Sequence, residues 1–133
     1  MGREIQIQLL ATRYRDPAGG HRLNPDTVTD PDWLPLLNTP AFPEYVSGHS
    51  TFSGAASTVL ASFLGCDQVP FTVGSESLPG VTRSYDSLSA AAEEIGMSRI
   101  YGGIHFLSAD LDGLASGRAI GSYVSKNLLR PVR

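Results

Sequence analysis

Three stretches of the chain carry side chains whose types and spacing suit work on an anion. Ser47-Gly48-His49 places a hydroxyl, a glycine with its open backbone N–H and an imidazole where a proline-rich approach gives way to an apolar-periodic run. At a helix start the first N–H groups lack intrahelical acceptors and the dipole favours negative charge, so the triplet reads as an oxyanion cradle with a proton donor attached. Arg99 and His105 add a planar forked cation and a second imidazole. On one unbroken helix these two would point about 240° apart. Gly102-Gly103 lies between them, and a break there turns His105 back towards the guanidinium. Together the five groups suit a tetrahedral or trigonal oxyanion. Singly each has a plainer reading, Ser47 as a helix cap and His105 as a core histidine, but a cap alone does not predict Arg99 and His105.

Helices must hold these groups in place. From Ser50 the apolar positions Phe52, Ala55, Ala56, Val59, Leu60, Phe63 and Leu64 fall at steps of three and four, which predicts a core-anchored helix ended by Gly65. Residues 67–84 read as a loop with a small hairpin around Val69 to Val73. Ser87 to Tyr101 reads as a second helix, with Ser87 or Ser89 as N-cap and Glu93-Glu94 facing water. A last helix starts near Ser108 or Asp110 and runs to about Leu129, with Leu111, Leu114, Ile120, Val124 and Leu128 as core residues and Asp110 and Asp112 in its cap or first turn. Gly113, Gly117 and Gly121 recur every four residues and leave one face nearly bare, so that another backbone can come close. Upstream, residues 3–15 read as a short helix, and six prolines from Pro17 to Pro43 mark an ordered loop pinned by Trp33, Leu34, Leu36 and Leu37. His21 reads as solvated there, and Arg83 as reaching the site from the loop before the second helix.

Composition bounds the rest. A chain of 133 residues with 41% apolar and 17% charged residues fits one soluble globular domain. Its formal charge of −3 and ten scattered basic residues argue against a nucleic-acid footprint. The single cysteine, Cys66, excludes an internal disulfide and any cysteine-cluster zinc site. No run of apolar residues is long enough for a membrane span, and the first ten residues lack the pattern of a signal peptide.

Pro-Glu-Tyr-Val-Ser-Gly-His-Ser-Thr-Phe-Ser, starting at Pro43, followed by Ser-Arg-Ile-Tyr-Gly-Gly-Ile-His-Phe, starting at Ser98, resembles the second and third signature motifs of a known superfamily. It joins vanadium-dependent haloperoxidases to type 2 phosphatidic acid phosphatases and bacterial acid phosphatases. The resemblance implies an all-α fold, the C-terminal catalytic part of a helical bundle with long ordered loops, forming a single domain over residues 1–133. It implies that Ser47 and Gly48 hydrogen-bond the oxyanion, that His49 is the acid–base residue, and that Arg99 neutralises equatorial oxygens. His105 would be the apical group, a metal ligand to vanadium in a haloperoxidase or the nucleophile towards phosphorus in a phosphatase. The implied activity is oxidation of halide by hydrogen peroxide at a vanadate site. Phosphate-ester hydrolysis through a phosphohistidine, and a non-catalytic or truncated homologue with a weak phosphate site, are the alternatives.

Departures from the family pattern shape these expectations. Val46 stands where the family usually has Pro, and Ala109 where the phosphatases have an acidic residue four after the histidine, which favours the haloperoxidase reading. The family's first motif, a Lys and, seven residues later, an Arg-Pro, has no counterpart, because no lysine precedes Lys126. The chain is therefore expected to be incomplete at its N-terminus or a degenerate homologue. Each missing charge-assisted contact is worth ~1.5–3 kcal/mol, so vanadate, or phosphate in its place, would be held more weakly. The expected partners are small anions (vanadate, phosphate, halide) and peroxide, together with a second copy in a homodimer covering an apolar helix face left exposed.

Overall fold

The proline-rich approach ends at Ser47, whose extended backbone and side-chain oxygen start the first helix. The computed structural model describes residues 34–128. The expected helix at residues 3–15, His21 and the Trp33 anchor lie outside them. Helix α1 spans Gly48–Leu64, with Ser47 as N-cap accepting a hydrogen bond from the Ser50 N–H, and it ends at Gly65 in the left-handed region, φ 81°. Strands β1 (Phe71–Ser75) and β2 (Leu78–Tyr85) form an antiparallel hairpin in which Phe71 pairs with Tyr85 and Val73 with Arg83. Helix α2 covers Leu88–Tyr101 and helix α3 Leu107–Asn127. The mostly helical architecture agrees with the expected helical bundle, and the hairpin is a small addition to it.

Local chemistry explains the helix starts. Ser87 caps α2 by accepting from the Ala90 N–H at 3.0 Å. Asp67, in the turn after α1, adds a second cap: its carboxylate accepts the Ser89 N–H at 2.9 Å and its carbonyl accepts the Leu88 N–H at 3.1 Å. Helix α3 has Phe106 at its N-cap position and no side-chain cap of its own. Glu44, more than sixty residues earlier, supplies it by accepting the Phe106 N–H at 2.7 Å, which places a carboxylate at the positive end of the helix dipole.

The core differs from the expected apolar one. Where α1 packs on α3, the buried positions of α1 are Ser50, Gly54 and Ser57, and those of α3 are Ala109, Asp110, Gly113, Leu114, Gly117 and Gly121. A Cβ on Gly113 would stand 2.8 Å from the Ser47 carbonyl oxygen, and one on Gly121 would stand 2.6 Å from that of Ala55. The two main chains therefore touch along the seam, as the four-residue glycine spacing predicts. The larger apolar residues of α1 lie on the other side: Phe52 is 79% and Phe63 86% exposed. Leu111, Ile120 and Leu128 are exposed too, and of the expected α3 core only Leu114 is fully buried. The physical reason is that closest approach of two backbones excludes large side chains from the contact, so the bulky stripe has to rotate away from it. An open, mostly apolar cavity of about 310 Å³ lies where α1, α2 and the hairpin meet, bordered by Leu60, Phe71, Val73, Leu88 and Ile95.

Candidate functional site

The start of α1, the end of α2 and the start of α3 converge. Ser47 is fully buried, and its backbone N–H donates to the Ala109 carbonyl at 3.1 Å, which ties the start of α1 to α3. Gly48 is the first residue of α1, and a Cβ there would meet nothing within 4 Å, so its backbone faces open space. The N–H groups of this first turn have no intrahelical acceptor, and only that of Ser50 is taken up by the Ser47 hydroxyl.

Arg99 lies in the last turn of α2 and is half-buried, with Nε buried and without a hydrogen-bond partner. Burial lowers its guanidinium from the ordinary value. Past it, Gly102 keeps a helical backbone, and Gly103 makes the turn with φ 73°, a region open to glycine. The Ile104 N–H donates back to the Arg99 carbonyl at 3.2 Å, closing that turn. The expected break between Arg99 and His105 is thus made by the second glycine. The first serves packing, since a Cβ on Gly102 would stand 2.7 Å from the Leu37 side chain, and the Leu37 N–H donates to the Gly102 carbonyl at 3.2 Å.

His105 is 1% exposed and stacks on Phe42, with ring centroids 6.3 Å apart. Neither ring nitrogen has a hydrogen-bond partner, although Nδ1 stands 3.6 Å from the Glu44 carboxylate. His49 is exposed on the first turn of α1. Its imidazole titrates below the ordinary value, first through partial burial and then through the positive charge of Arg99 and of His105. Arg99 and His105 thus lie within electrostatic reach of His49, with Ser47 and Gly48 directly before His49 in the chain. The donor set consists of one guanidinium, two imidazoles, a hydroxyl and helix N–H groups, and it suits an oxyanion. Among the described residues no group of three or more His, Cys, Asp or Glu side chains is gathered to hold a metal ion.

Three neighbours of the site escaped the sequence reading. Glu44 holds the backbone just after His105 and stands beside its ring. Ser50 Oγ shares its one hydrogen between Ser47 Oγ at 2.7 Å and Asp110 Oδ1 at 2.6 Å. Asp110, expected as a cap or first-turn residue, is 1% exposed, and its carboxylate rests where a Cβ on Gly96 of α2 would collide. The signal was present in the spacing: Asp110 shares the helical face of Gly113, Leu114, Gly117 and Gly121, and a charged residue on a buried seam needs a partner. Arg83 does not reach the site. Its guanidinium pairs with Glu94 on α2 at 2.6 Å, and both side chains are substantially exposed.

Comparison with known proteins matches residues 8–133 to the model of the VCPO second helical-bundle domain. The crystal structure of a bacterial vanadium-dependent iodoperoxidase is similar over 72% of this chain and 23% of its own, with 46% identity and a TM-score of 0.67. Holo-type and apo-type bacterial vanadium-dependent chloroperoxidases share the fold, at 21% and 20% identity, with TM-scores of 0.62 and 0.61 over 71% of this chain. The chain thus spans under a quarter of the length of each solved structure. No curated protein matches it. Among the described residues no helix is long and apolar enough to cross a membrane.

Proposed function

Since the chain belongs to the vanadium-dependent haloperoxidase family, in the part formed by the VCPO second helical-bundle domain, we propose that it contributes a vanadate site at which halide is oxidised by hydrogen peroxide. The observation that carries this reading is the set of orphaned buried nitrogens: Arg99 Nε and both ring nitrogens of His105, in a region where buried polar groups are normally paired. An oxyanion there would satisfy Arg99 Nε and one ring nitrogen of His105. His105 would be the metal ligand through Nε2, because the Glu44 carboxylate stands 3.6 Å from Nδ1, on the side an orienting partner would occupy. Gly48 and His49 offer backbone N–H groups, Ser47 a hydroxyl, and Arg99 the charge that balances the oxyanion. His49, exposed and held neutral to lower pH than an ordinary histidine, takes and returns protons at the mouth of the site. Bound vanadate supplies Lewis-acid activation of hydrogen peroxide for the two-electron oxidation of halide.

The phosphatase alternative draws no support from the acidic residues. The position four after His105 is Ala109, and the Asp110 carboxylate is bound by Ser50 on α1. The test is titration calorimetry with vanadate together with two assays, halide oxidation with peroxide and hydrolysis of p-nitrophenyl phosphate. Micromolar vanadate binding that is lost in His105→Ala, with halide oxidation following it, is the expected result. Phosphate release without vanadate that disappears in His105→Ala would replace this reading with the phosphohistidine one. Absence of any oxyanion binding would leave a non-catalytic homologue. Homodimerisation through the exposed face of α1, where Phe52 and Phe63 lie, belongs to the same proposal. A clean monomer in light scattering at high concentration would refute that part.

A further inference from the structure

A row of three polar side chains runs from the candidate site into the interior. Ser47, Ser50 and Asp110 are 0%, 0% and 1% exposed. Ser50 Oγ is the donor to both neighbours, its one hydrogen shared between Ser47 Oγ at 2.7 Å and Asp110 Oδ1 at 2.6 Å, and the Ser50 N–H reaches Ser47 Oγ at a longer 3.3 Å, so the Ser47 hydroxyl keeps its own hydrogen for an anion. Ordinary N-capping of α1 would need only the Ser47 hydroxyl and that N–H. Placing a carboxylate behind the cap is costly, because a buried ionised group loses its hydration, and it also requires α2 to carry glycine at position 96 to make room. What the carboxylate fixes is the Ser50 hydroxyl, and through it the position of Ser47 Oγ. Helical spacing explains why this acid serves a serine. A residue five after His105 is turned about 100° from one four after it, so Asp110 addresses α1, and the His105 ring is left to Glu44.

We infer that Asp110 is a positioning residue for the oxyanion site, holding the Ser47 hydroxyl in register with the bound anion through Ser50. This rests on the vanadate-site reading above and deepens it. Asp110 and Ser50 do not touch the anion themselves; their influence passes entirely through the Ser47 oxygen.

A double-mutant cycle on the full chain tests this, with orthovanadate as the probe in titration calorimetry and thermal unfolding as a check on folding. Ser47→Ala is expected to weaken vanadate binding by about tenfold or more, equivalent to ~1.4 kcal/mol. Ser50→Ala and Asp110→Asn are each expected to weaken it severalfold in the wild-type background and to have no further effect in Ser47→Ala, where the hydroxyl they position is gone. A merely structural role would instead weaken binding by the same factor in both backgrounds, and that outcome overturns the inference. So does unchanged binding in both single variants. If Asp110→Asn fails to fold, the Ser50→Ala leg of the cycle decides the question by itself. Should the wild-type chain bind no vanadate, the vanadate site itself is refuted, and the positioning role goes with it.

Discussion

Gly117→Ala puts the main-chain seam between α1 and α3 to a direct test. A Cβ at position 117 would collide with the Thr51 carbonyl oxygen and stand 2.9 Å from both the Thr51 carbonyl carbon and the Ala55 nitrogen. All three are main-chain atoms of α1, so no side chain can swing aside, and relief requires the helices to separate by roughly 1 Å locally. Overpacking of this kind costs about 1–3 kcal/mol, whereas alanine in place of glycine within a helix returns about 0.5–1 kcal/mol. The net expectation is a loss of about 1 kcal/mol, with about 2.5 kcal/mol as its upper end, and a Tm lower by roughly 3–10 °C in a chain of this size. Gly48→Ala is the control, since its Cβ meets nothing within 4 Å and the smaller propensity gain at this first helical position is unopposed. Thermal unfolding followed by circular dichroism should therefore show opposite signs for one chemical change at two positions. If Gly117→Ala melts at or above the wild-type temperature, α1 and α3 do not meet through their main chains.

The remaining predictions concern the groups around the site. Glu44→Ala removes the acceptor of the Phe106 N–H and should lower stability by about 1–2 kcal/mol, readable as a fall in Tm, since the start of α3 has no other side-chain cap. An NMR titration of His49 should give a midpoint below the ordinary imidazole value, and Arg99→Gln should move it upward by removing one of the positive charges that lower it. Because the folded value lies below the unfolded one, the contribution of His49 to stability is present above the ordinary imidazole pKa and is lost as pH falls through that range. Arg83→Ala should leave both Tm and vanadate binding unchanged, because its guanidinium is engaged by Glu94 in a solvent-exposed ion pair.

Much of this arrangement can be read in the sequence, and the parts that cannot have identifiable causes. Periodicity and capping residues mark the three helices to within a few positions, with Gly65 and Ser87 at the boundaries expected of them. The glycine spacing of the last helix foretells close packing of main chains. What periodicity misjudges is the direction of burial. The repeat of Phe52, Leu60 and Phe63 marks an apolar face, but which face meets a partner depends on what the partner offers, and α3 offers glycines. Ser50, Gly54 and Ser57 match that surface and the phenylalanines do not. The supporting acids are hidden for a different reason. Glu44 and Asp110 act across more than fifty residues of sequence, and nothing in local spacing links a carboxylate to an N–H or a hydroxyl so far away.

On its α1–α3 side the proposed anion cradle hangs on two touching backbones, so main chain rather than a bulky side chain sets its width there. Trimming residues on the α1–α3 seam cannot enlarge it for a bulkier oxyanion, because Gly54, Gly113, Gly117 and Gly121 are already at the lower limit of size. At the glycine positions docking freezes no side-chain rotamers, so no side-chain freedom is regained there by pulling the helices apart, and warming gives that part of the seam little entropic reason to loosen. Widening the proposed site on that side is therefore a matter of re-angling helices rather than exchanging residues.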